Sequence, residues 1–463
     1  PSLGKNNIVF ENGGYIYKLN LETEEVNKVP IRISNDMLAS RNEIVDATEH
    51  IQNAGLSPNG NRAVFSARGD IFSVPGNKGI TYNLTQTSGN HDRDAKWAPD
   101  GRHIAYISDK TGEYEIYLED KDEEKAPVQL TKNSKCYKYS LKWAPNSNKI
   151  LWTNSKFQLK YVNTNTREVT LVDTSKYGNI RSYSWSPDGK WITYSKEADN
   201  NMSVVWVYNT NTSDKFKVTE GWYSSSGPTF SADGKYLVFS SQRTFDPIYS
   251  RVEWNYAYTN MEKIYLVTLQ KSTPSPFEPE NDKIKTEEEN SNGEKKEEEE
   301  VEVQIDKDGI QNRILELPVE ASNYGNIYAL KGKIYYNKYN PQTRTSSINV
   351  FDLKEENETT LGEKMRFTIS PNNNKMLVNQ DKKWAIIDLP TKKIEMKETL
   401  DLSDMKVKVD HKKEWRQIFN ESWRQYRDFF YVKNMHGVDW KKMKERYSEL
   451  LPYVNHRNDL TYV

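Results

Sequence analysis

Trp185-Ser-Pro-Asp-Gly189 is one copy of a short motif that occurs six times along the chain. The other copies are Leu56-Ser-Pro-Asn-Gly60, Trp97-Ala-Pro-Asp-Gly101, Trp143-Ala-Pro-Asn-Ser147, Phe230-Ser-Ala-Asp-Gly234 and Ile369-Ser-Pro-Asn-Asn373. Each copy precedes a run of β-forming residues, and the first four copies follow one another at intervals of 41 to 46 residues. A fixed period of this length is typical of a repeat architecture.

One repeat contains the signals of four short strands. After Trp97, the turn Pro99-Asp-Gly101 leads into an alternating strand from His103 to Ser108. Glu115-Ile-Tyr-Leu118 and Ala126-Pro-Val-Gln-Leu-Thr131 supply two further strands. A four-stranded meander of about 42 residues matches one propeller blade. The sequence therefore predicts a mainly β fold, a seven-bladed β-propeller of four-stranded antiparallel blades, followed by a short α-helical segment.

The seventh blade comes from a degenerate copy of the repeat at Asn326-Ile-Tyr-Ala-Leu330 and Ile334-Tyr-Tyr-Asn-Lys338. We place the whole propeller at 36–405. An acidic segment at 271–308 has almost no aromatic residues. It is predicted to be a disordered insertion, because it has too little apolar surface to offset the entropy of ordering. A role as an acidic binding segment is the alternative.

Two further segments flank the propeller. Residues 1–35 hold a separate β meander, interpreted as the end of a preceding β domain. Residues 406–463 change to helical spacing, with large aromatics on one stripe at Trp415, Phe419, Trp423 and Phe430. We expect this stripe to pack on the propeller or on a second chain, since large aromatic faces need a covering surface.

Composition limits the classes of partner. Lys and Arg number 65 against 66 Asp and Glu in 463 residues, a net charge of −1, which argues against nucleic acid as the main partner. The single Cys136 excludes an internal disulfide framework. No apolar run approaches the ~20 residues of a membrane helix, so we expect no membrane partner. The six His residues have no metal-ligand spacing, and we expect neither a metal nor another cofactor.

No catalytic motif such as Gly-x-Ser-x-Gly, His-Glu-x-x-His or a phosphate-binding loop occurs, and no catalytic residue is assigned. Four charged loop residues are candidates for a substrate channel. Asp92 and Arg93 either contact a substrate terminus or form an ion pair or a tie between blades. Arg243 and Arg251 either line the channel or are solvated loop charges.

Several stretches resemble the tricorn protease family. The resemblance rests on Ala47–Pro58, Phe65–Pro75, Asn83–Thr87 and Tyr106–Tyr117 within the propeller. The helical block Trp415–Tyr431 with Asn434–Trp440 then resembles the start of that family's protease core. The order of propeller and helical block is more specific than any single blade.

The resemblance implies a six-bladed propeller of which 1–35 is the end, the seven-bladed propeller, a helical subdomain beginning at 406–463, a PDZ domain and a serine-protease domain. It implies a parent serine peptidase that degrades oligopeptides, with the propeller channel admitting or filtering them. The family's catalytic residues would follow Val463, so we expect this chain alone to be inactive. Its expected partners are oligopeptides, the PDZ and catalytic domains of the same chain, and further copies in a hexamer. The expected compartment is the cytoplasm, with the periplasm as the alternative.

Two other functions fit a propeller. One is a TolB-like protein-binding propeller without an enzymatic role. The other is the propeller of a prolyl-oligopeptidase-type peptidase, which would be followed by an α/β-hydrolase domain. The helical block after residue 405 favours the tricorn-like interpretation over both.

Overall fold

A computed structural model describes residues 1–32, 36–120, 126–244, 247–249, 256–258, 260–278, 301–340 and 343–463. Arg251 and the middle of the predicted insertion, 279–300, lie outside these residues.

The repeats form seven antiparallel sheets within the described residues, confirming the predicted propeller. Blade 1 comprises Ile51–Leu56, Arg62–Ala67, Asp70–Pro75 and Tyr82–Asn83, and blade 2 comprises Arg93–Trp97, His103–Ser108, Glu115–Asp120 and Val128–Gln129. Blade 3 comprises Lys138–Trp143, Lys149–Asn154, Gln158–Asn163 and Val169–Thr174, and blade 4 comprises Ser182–Trp185, Trp191–Glu197, Ser203–Asn209 and Lys215–Lys217. Blade 5 comprises Ser225–Phe230, Tyr236–Ser241, Lys263–Thr268 and Ile314–Glu316, and blade 6 comprises Asn323–Leu330, Lys333–Asn340, Thr345–Asp352 and Asn357–Glu363. Blade 7 has three described strands, Arg366–Ile369, Lys375–Gln380 and Lys383–Asp388.

The recurring motif forms the turn between the first and second strands of a blade. In blade 4 the Ser186 hydroxyl donates to Asp188 at 2.5 Å and accepts from the backbone N–H of Trp191 at 2.9 Å. Asp188 accepts from the backbone N–H of Lys190 at 3.1 Å, and Gly189 has a φ of 68°. Serine and aspartate therefore satisfy the turn's polar groups, while glycine supplies its left-handed residue.

Apolar clusters between neighbouring blades hold the ring together. Ile107 and Ile116 of blade 2 pack with Leu141 and Trp152 of blade 3. Leu377 of blade 7 packs in one cluster with residues of blade 1, so the last blade meets the first.

The ends of the propeller chain are joined by a two-stranded antiparallel sheet, which we call the clasp. Its strands are Glu43–Asp46 and Lys406–Val409, and Val45 lies opposite Val407. Val407 and Val409 are buried against the cluster shared by blades 1 and 7. The clasp therefore reinforces the point where the ring closes.

Blade 5 is longer than the other blades, and its additional residues lie in two places rather than in the single insertion predicted at 271–308. One part lies between the second and third strands, where Pro247–Tyr249 pairs with Tyr256–Tyr258 in a hairpin.

The predicted disorder is wrong for residues 271–278 and 301–308. Phe277 packs against the core cluster of blades 5 and 6, and Val303 is buried in the core cluster of blades 4 and 5. The Val303 backbone N–H donates to Asp188 at 3.0 Å and its carbonyl accepts from Trp191 Nε1 at 3.0 Å.

The flanking segments are a sheet and three helices. The N-terminal sheet comprises Ser2–Leu3, Asn7–Asn12, Tyr15–Asn20 and Val26–Lys28, and the helices are α1 (His411–Phe429), α2 (Trp440–Ser448) and α3 (Arg457–Tyr462). The hydroxyls of Tyr15 and Tyr453 lie 2.9 Å apart, so the two flanking segments touch each other. None of the helices in the described part of the chain has the length and apolar character needed to cross a membrane.

Candidate functional site

The first strands of the blades surround the central channel, and Lys96 on blade 2 reaches into it. Its ammonium lies 3.4 Å from Asn53 Oδ1 on blade 1. Lys142 on blade 3 and Tyr328 on blade 6 are both close enough to influence its pKa. Since blade 6 is not a neighbour of blade 2, Tyr328 must lie across the channel from Lys96. Both side chains therefore face the channel at this level.

Lys142 is the second ammonium at this level, and its side chain is exposed to solvent. The surrounding protein strips part of the hydration shell from both ammonium groups, and this desolvation lowers the pKa of Lys96 and of Lys142. The negative charge of Asp94 acts in the opposite direction on both.

Asp94 ties three neighbouring strands together. Its φ of 55° places it in a β-bulge of blade 2, where the pairing with the second strand shifts register. Oδ1 accepts from Asn53 Nδ2 at 3.2 Å, and Oδ2 accepts from the backbone N–H of Leu141 at 2.6 Å. Both carboxylate oxygens are thus engaged by blades 1 and 3.

The structure places Asp92 and Arg93 inside the protein, with exposed fractions of 2% and 8%. Asp92 accepts from the Thr87 hydroxyl at 2.8 Å, and burial raises its pKa to about 7. Arg93 donates to the carbonyl of Lys138 at 2.9 Å and stacks over the ring of Tyr137. These contacts fit the predicted tie between blades. A contact of Asp92 or Arg93 with substrate stays a prediction, and the burial of both side chains does not support it.

Arg243 follows the second strand of blade 5 and is half-buried. Its Nε lies 3.3 Å from the Ser241 hydroxyl, and its guanidinium lies over the Tyr265 ring at 5.1 Å. It is therefore held at the blade, and its role as a channel cation stays a prediction. Arg251, predicted with it, lies outside the described residues.

A polar interface fixes α1 to the loop that joins the second and third strands of blade 2. Arg424 forms a buried ion pair with Asp109 and donates to the carbonyl of Gly112 at 2.9 Å. Arg427 binds Glu113 through two hydrogen bonds of 2.5 and 2.8 Å. Such paired, fork-shaped contacts fix the orientation of the helix as well as its position.

Trp415, Phe419 and Trp423 of the aromatic stripe pack on the helical segment that follows α1 rather than on the propeller, so the prediction is wrong for these three residues. Trp415 is buried with Val454 and Leu460. Trp423 Nε1 donates to the carbonyl of Trp440 at 2.8 Å, and Trp440 Nε1 donates back to the carbonyl of Trp423 at 3.0 Å. The covering surface of these residues belongs to the same chain. The polar face of α1 meets the propeller, and Phe429 at the end of the helix adds an aromatic contact with Tyr137, with 5.9 Å between the ring centroids.

Sequence reasoning missed the residues that now define the site, namely Lys96, Lys142, Asp94, Tyr328, Asp109 and Arg424. The signal for the channel lysines was their position, because Lys96 and Lys142 each directly precede a repeated tryptophan. For Arg424 the signal was weaker, a Glu421–Arg424 pair at i, i+3 spacing on the polar face of the helix.

Two family models match the chain. The tricorn protease second beta propeller domain matches residues 51–390, and the tricorn protease C1 domain matches residues 411–463.

Curated relatives match along almost the whole chain. Tricorn protease homolog 1 of Streptomyces coelicolor is 25% identical over 98% of this chain and 45% of its own length. The tricorn protease homolog of Saccharolobus solfataricus is 25% identical over 98% of this chain and 42% of its own length. The chain thus spans about half the length of the curated relatives it matches.

A solved structure has the same fold. The crystal structure of the tricorn protease aligns with a TM-score of 0.79 at 18% identity, covering 98% of this chain and 44% of that chain.

Proposed function

Because this chain belongs to the tricorn protease family, we propose that it forms the part of a peptidase that admits peptides and positions the catalytic domains. The polar channel at the centre of the ring, lined by Lys96 and Tyr328, carries this proposal. An unfolded peptide would enter such a channel, whereas a folded protein is too wide. The propeller therefore acts as a filter in front of the active site.

The proposed parent is a serine peptidase that degrades oligopeptides. Its nucleophile, a PDZ domain and the rest of the helical subdomain would lie outside these 463 residues, and the chain alone would be inactive. The parent would assemble as a homo-oligomer, a hexamer, in the cytoplasm.

The docked helix supports a positioning role for the propeller. The ion pairs of Arg424 with Asp109 and of Arg427 with Glu113 fix α1 on blade 2. A domain that continues from the helical segment would therefore have a set orientation relative to the channel. Such preorganisation lets a filter and a catalytic centre act on the same peptide.

The test blocks the channel in the full-length parent protein. Lys142→Cys is labelled with a bulky maleimide, and Lys354→Cys at the exposed turn after Thr345–Asp352 is the matched control. Cys136 is buried and is not expected to compete for the reagent. We expect hydrolysis of long peptides to fall at least about tenfold only in the channel variant, because access becomes limiting.

The second readout is a small fluorogenic substrate, whose hydrolysis should change less than about twofold, since a label that stops a long chain leaves more room for a small molecule. Equal hydrolysis of long peptides by both labelled variants would overturn the filter. Hydrolysis by the isolated 463-residue chain would overturn the proposed division of labour.

A further inference from the structure

The first strands of the seven blades carry more positive than negative charge. Asp94 is the one carboxylate on these strands, which also carry Arg93, Lys96, Lys138, Lys142 and Arg366. Two of the cations are turned away from the channel. Arg93 is stacked on Tyr137, and Lys138 is buried in an ion pair with Glu115 at 3.0 Å.

The remaining charges do not cancel. The ammonium of Lys96 has one long hydrogen bond to Asn53, and among the described residues no hydrogen bond or ion pair holds the ammonium of Lys142. The two carboxylate oxygens of Asp94 accept hydrogen bonds from Asn53 and from the backbone N–H of Leu141. Two ammonium groups thus face one carboxylate, each oxygen of which already accepts one hydrogen bond.

The position of these charges strengthens their field. Lys96 and Lys142 lie on the first strands of neighbouring blades inside a protein-walled channel, where low-dielectric walls concentrate the potential. Desolvation lowers the pKa of both groups, and the negative charge of a bound anion would act in the opposite direction. Arg366 at the start of blade 7 is exposed and adds a third cation on these strands.

We infer that the channel binds the carboxylate groups of peptides through Lys96 and Lys142, an inference that rests on the proposed passage of peptides. The carboxylate comes either from a peptide C-terminus or from an acidic side chain. In both cases the two ammonium groups replace water around the anion and select anionic peptides over neutral ones.

The experiment measures binding to the 463-residue chain by fluorescence anisotropy. Three peptides of equal length carry a neutral fluorophore. The first is neutral with an amidated C-terminus, the second is neutral with a free C-terminus, and the third contains glutamates and is amidated. We expect the second or the third to bind at least about tenfold more tightly than the first, with an affinity that falls as salt is added. The tighter peptide identifies the source of the carboxylate.

The lysines are tested by Lys96→Gln and Lys142→Gln, with Lys354→Gln in an exposed turn of blade 6 as the control. Each channel substitution should weaken binding of the preferred peptide about fivefold and leave the amidated neutral peptide unchanged. Lys96→Met and Lys142→Met, which keep the length of the side chain, should give the same result. Circular dichroism and thermal unfolding establish that each variant is folded.

The outcomes separate this inference from the proposed function. Equal binding of all three peptides, or unaltered affinity in both folded channel variants, overturns carboxylate binding. If carboxylate binding fails but a bulky label at position 142 still blocks hydrolysis of long peptides by the parent, peptides pass through the channel without being selected by charge. If neither the label nor the substitutions have any effect, both proposals fail.

Discussion

Asp92 is a carboxyl group that the fold keeps away from water. It is buried beneath the loop that precedes blade 2, and the Thr87 hydroxyl donates to it. Desolvation raises its pKa to about 7, so the folded protein holds this proton at a pH where the unfolded chain has lost it.

This difference makes a prediction about stability. Between about pH 4 and pH 7 the folded state binds more protons at Asp92 than the unfolded state, so the free energy of unfolding falls as pH rises. Relative to Asp92→Asn, the wild-type protein should lose about 2–3 kcal/mol between pH 5 and pH 8. Urea unfolding of both proteins at the two pH values measures it. A constant difference between them would show that Asp92 ionises normally.

At the residue scale, the turns were predictable and the buried charges were not. Ser186, Asp188 and Gly189 have roles that follow from local chemistry, and the structure confirms the turn. Whether Arg93 is buried depends on Tyr137, a residue of the next blade. A charge in a loop takes its role from partners that are distant in sequence.

At the scale of the elements, the sequence predicted the local structure of α1 but not its partners. Its 3.6-residue spacing predicted a helix, and Asp410 caps it by accepting from the backbone N–H of Lys413. The pattern did not predict which surface each face meets. The aromatic face found partners in α2 and α3, while the polar face found Asp109 and Glu113 on blade 2.

The amino-acid composition gave no indication that the segment 301–308 is ordered. Its acidic neighbours indicated disorder, although Val303 and Ile305 carry enough apolar surface to join the core between blades 4 and 5. Two hydrogen bonds hold Val303 against the motif turn of blade 4. Short apolar signals inside a polar segment are easily missed by an average over the whole segment.

Substitution of Val303 tests this packing. Val303→Ala removes two buried methyl groups and should lower the free energy of unfolding by about 2 kcal/mol. Val301→Ala is the matched control, since Val301 is 37% exposed and should change stability by less than about 0.5 kcal/mol. Equal effects in chemical unfolding would contradict a structural role for Val303.

On the scale of the whole molecule, the period of the motif was sufficient to predict seven blades. The closure of the ring was not predictable, because Glu43–Asp46 and Lys406–Val409 lie outside the repeats and carry no motif. The channel site was hidden for a related reason. Lys96 and Tyr328 become neighbours only when blades 2 and 6 face each other across the ring.

The contact between helix and propeller also belongs to this scale. Arg424→Leu leaves Asp109 buried without its cation and should weaken docking of α1 by about 3–5 kcal/mol. Hydrogen exchange should then accelerate in His411–Phe429 but not in the strands of blades 4 to 6. Lys441→Leu, at an exposed position on α2, is the control. Unchanged protection of α1 would mean that the aromatic contacts alone hold the helix in place.

The clasp has a mechanical consequence. The chain enters it at Glu43 and leaves it at Val409, and these two residues are paired with each other. His411, at the start of α1, adds a contact of 3.1 Å to Glu43 at the same end. Tension between the N-terminal sheet and the helices therefore acts on the end pair of Glu43 and Val409 and separates the two strands one residue pair at a time. The ion pairs that fix α1 to blade 2 share such a load with the clasp, so the docked helix protects the closure of the ring.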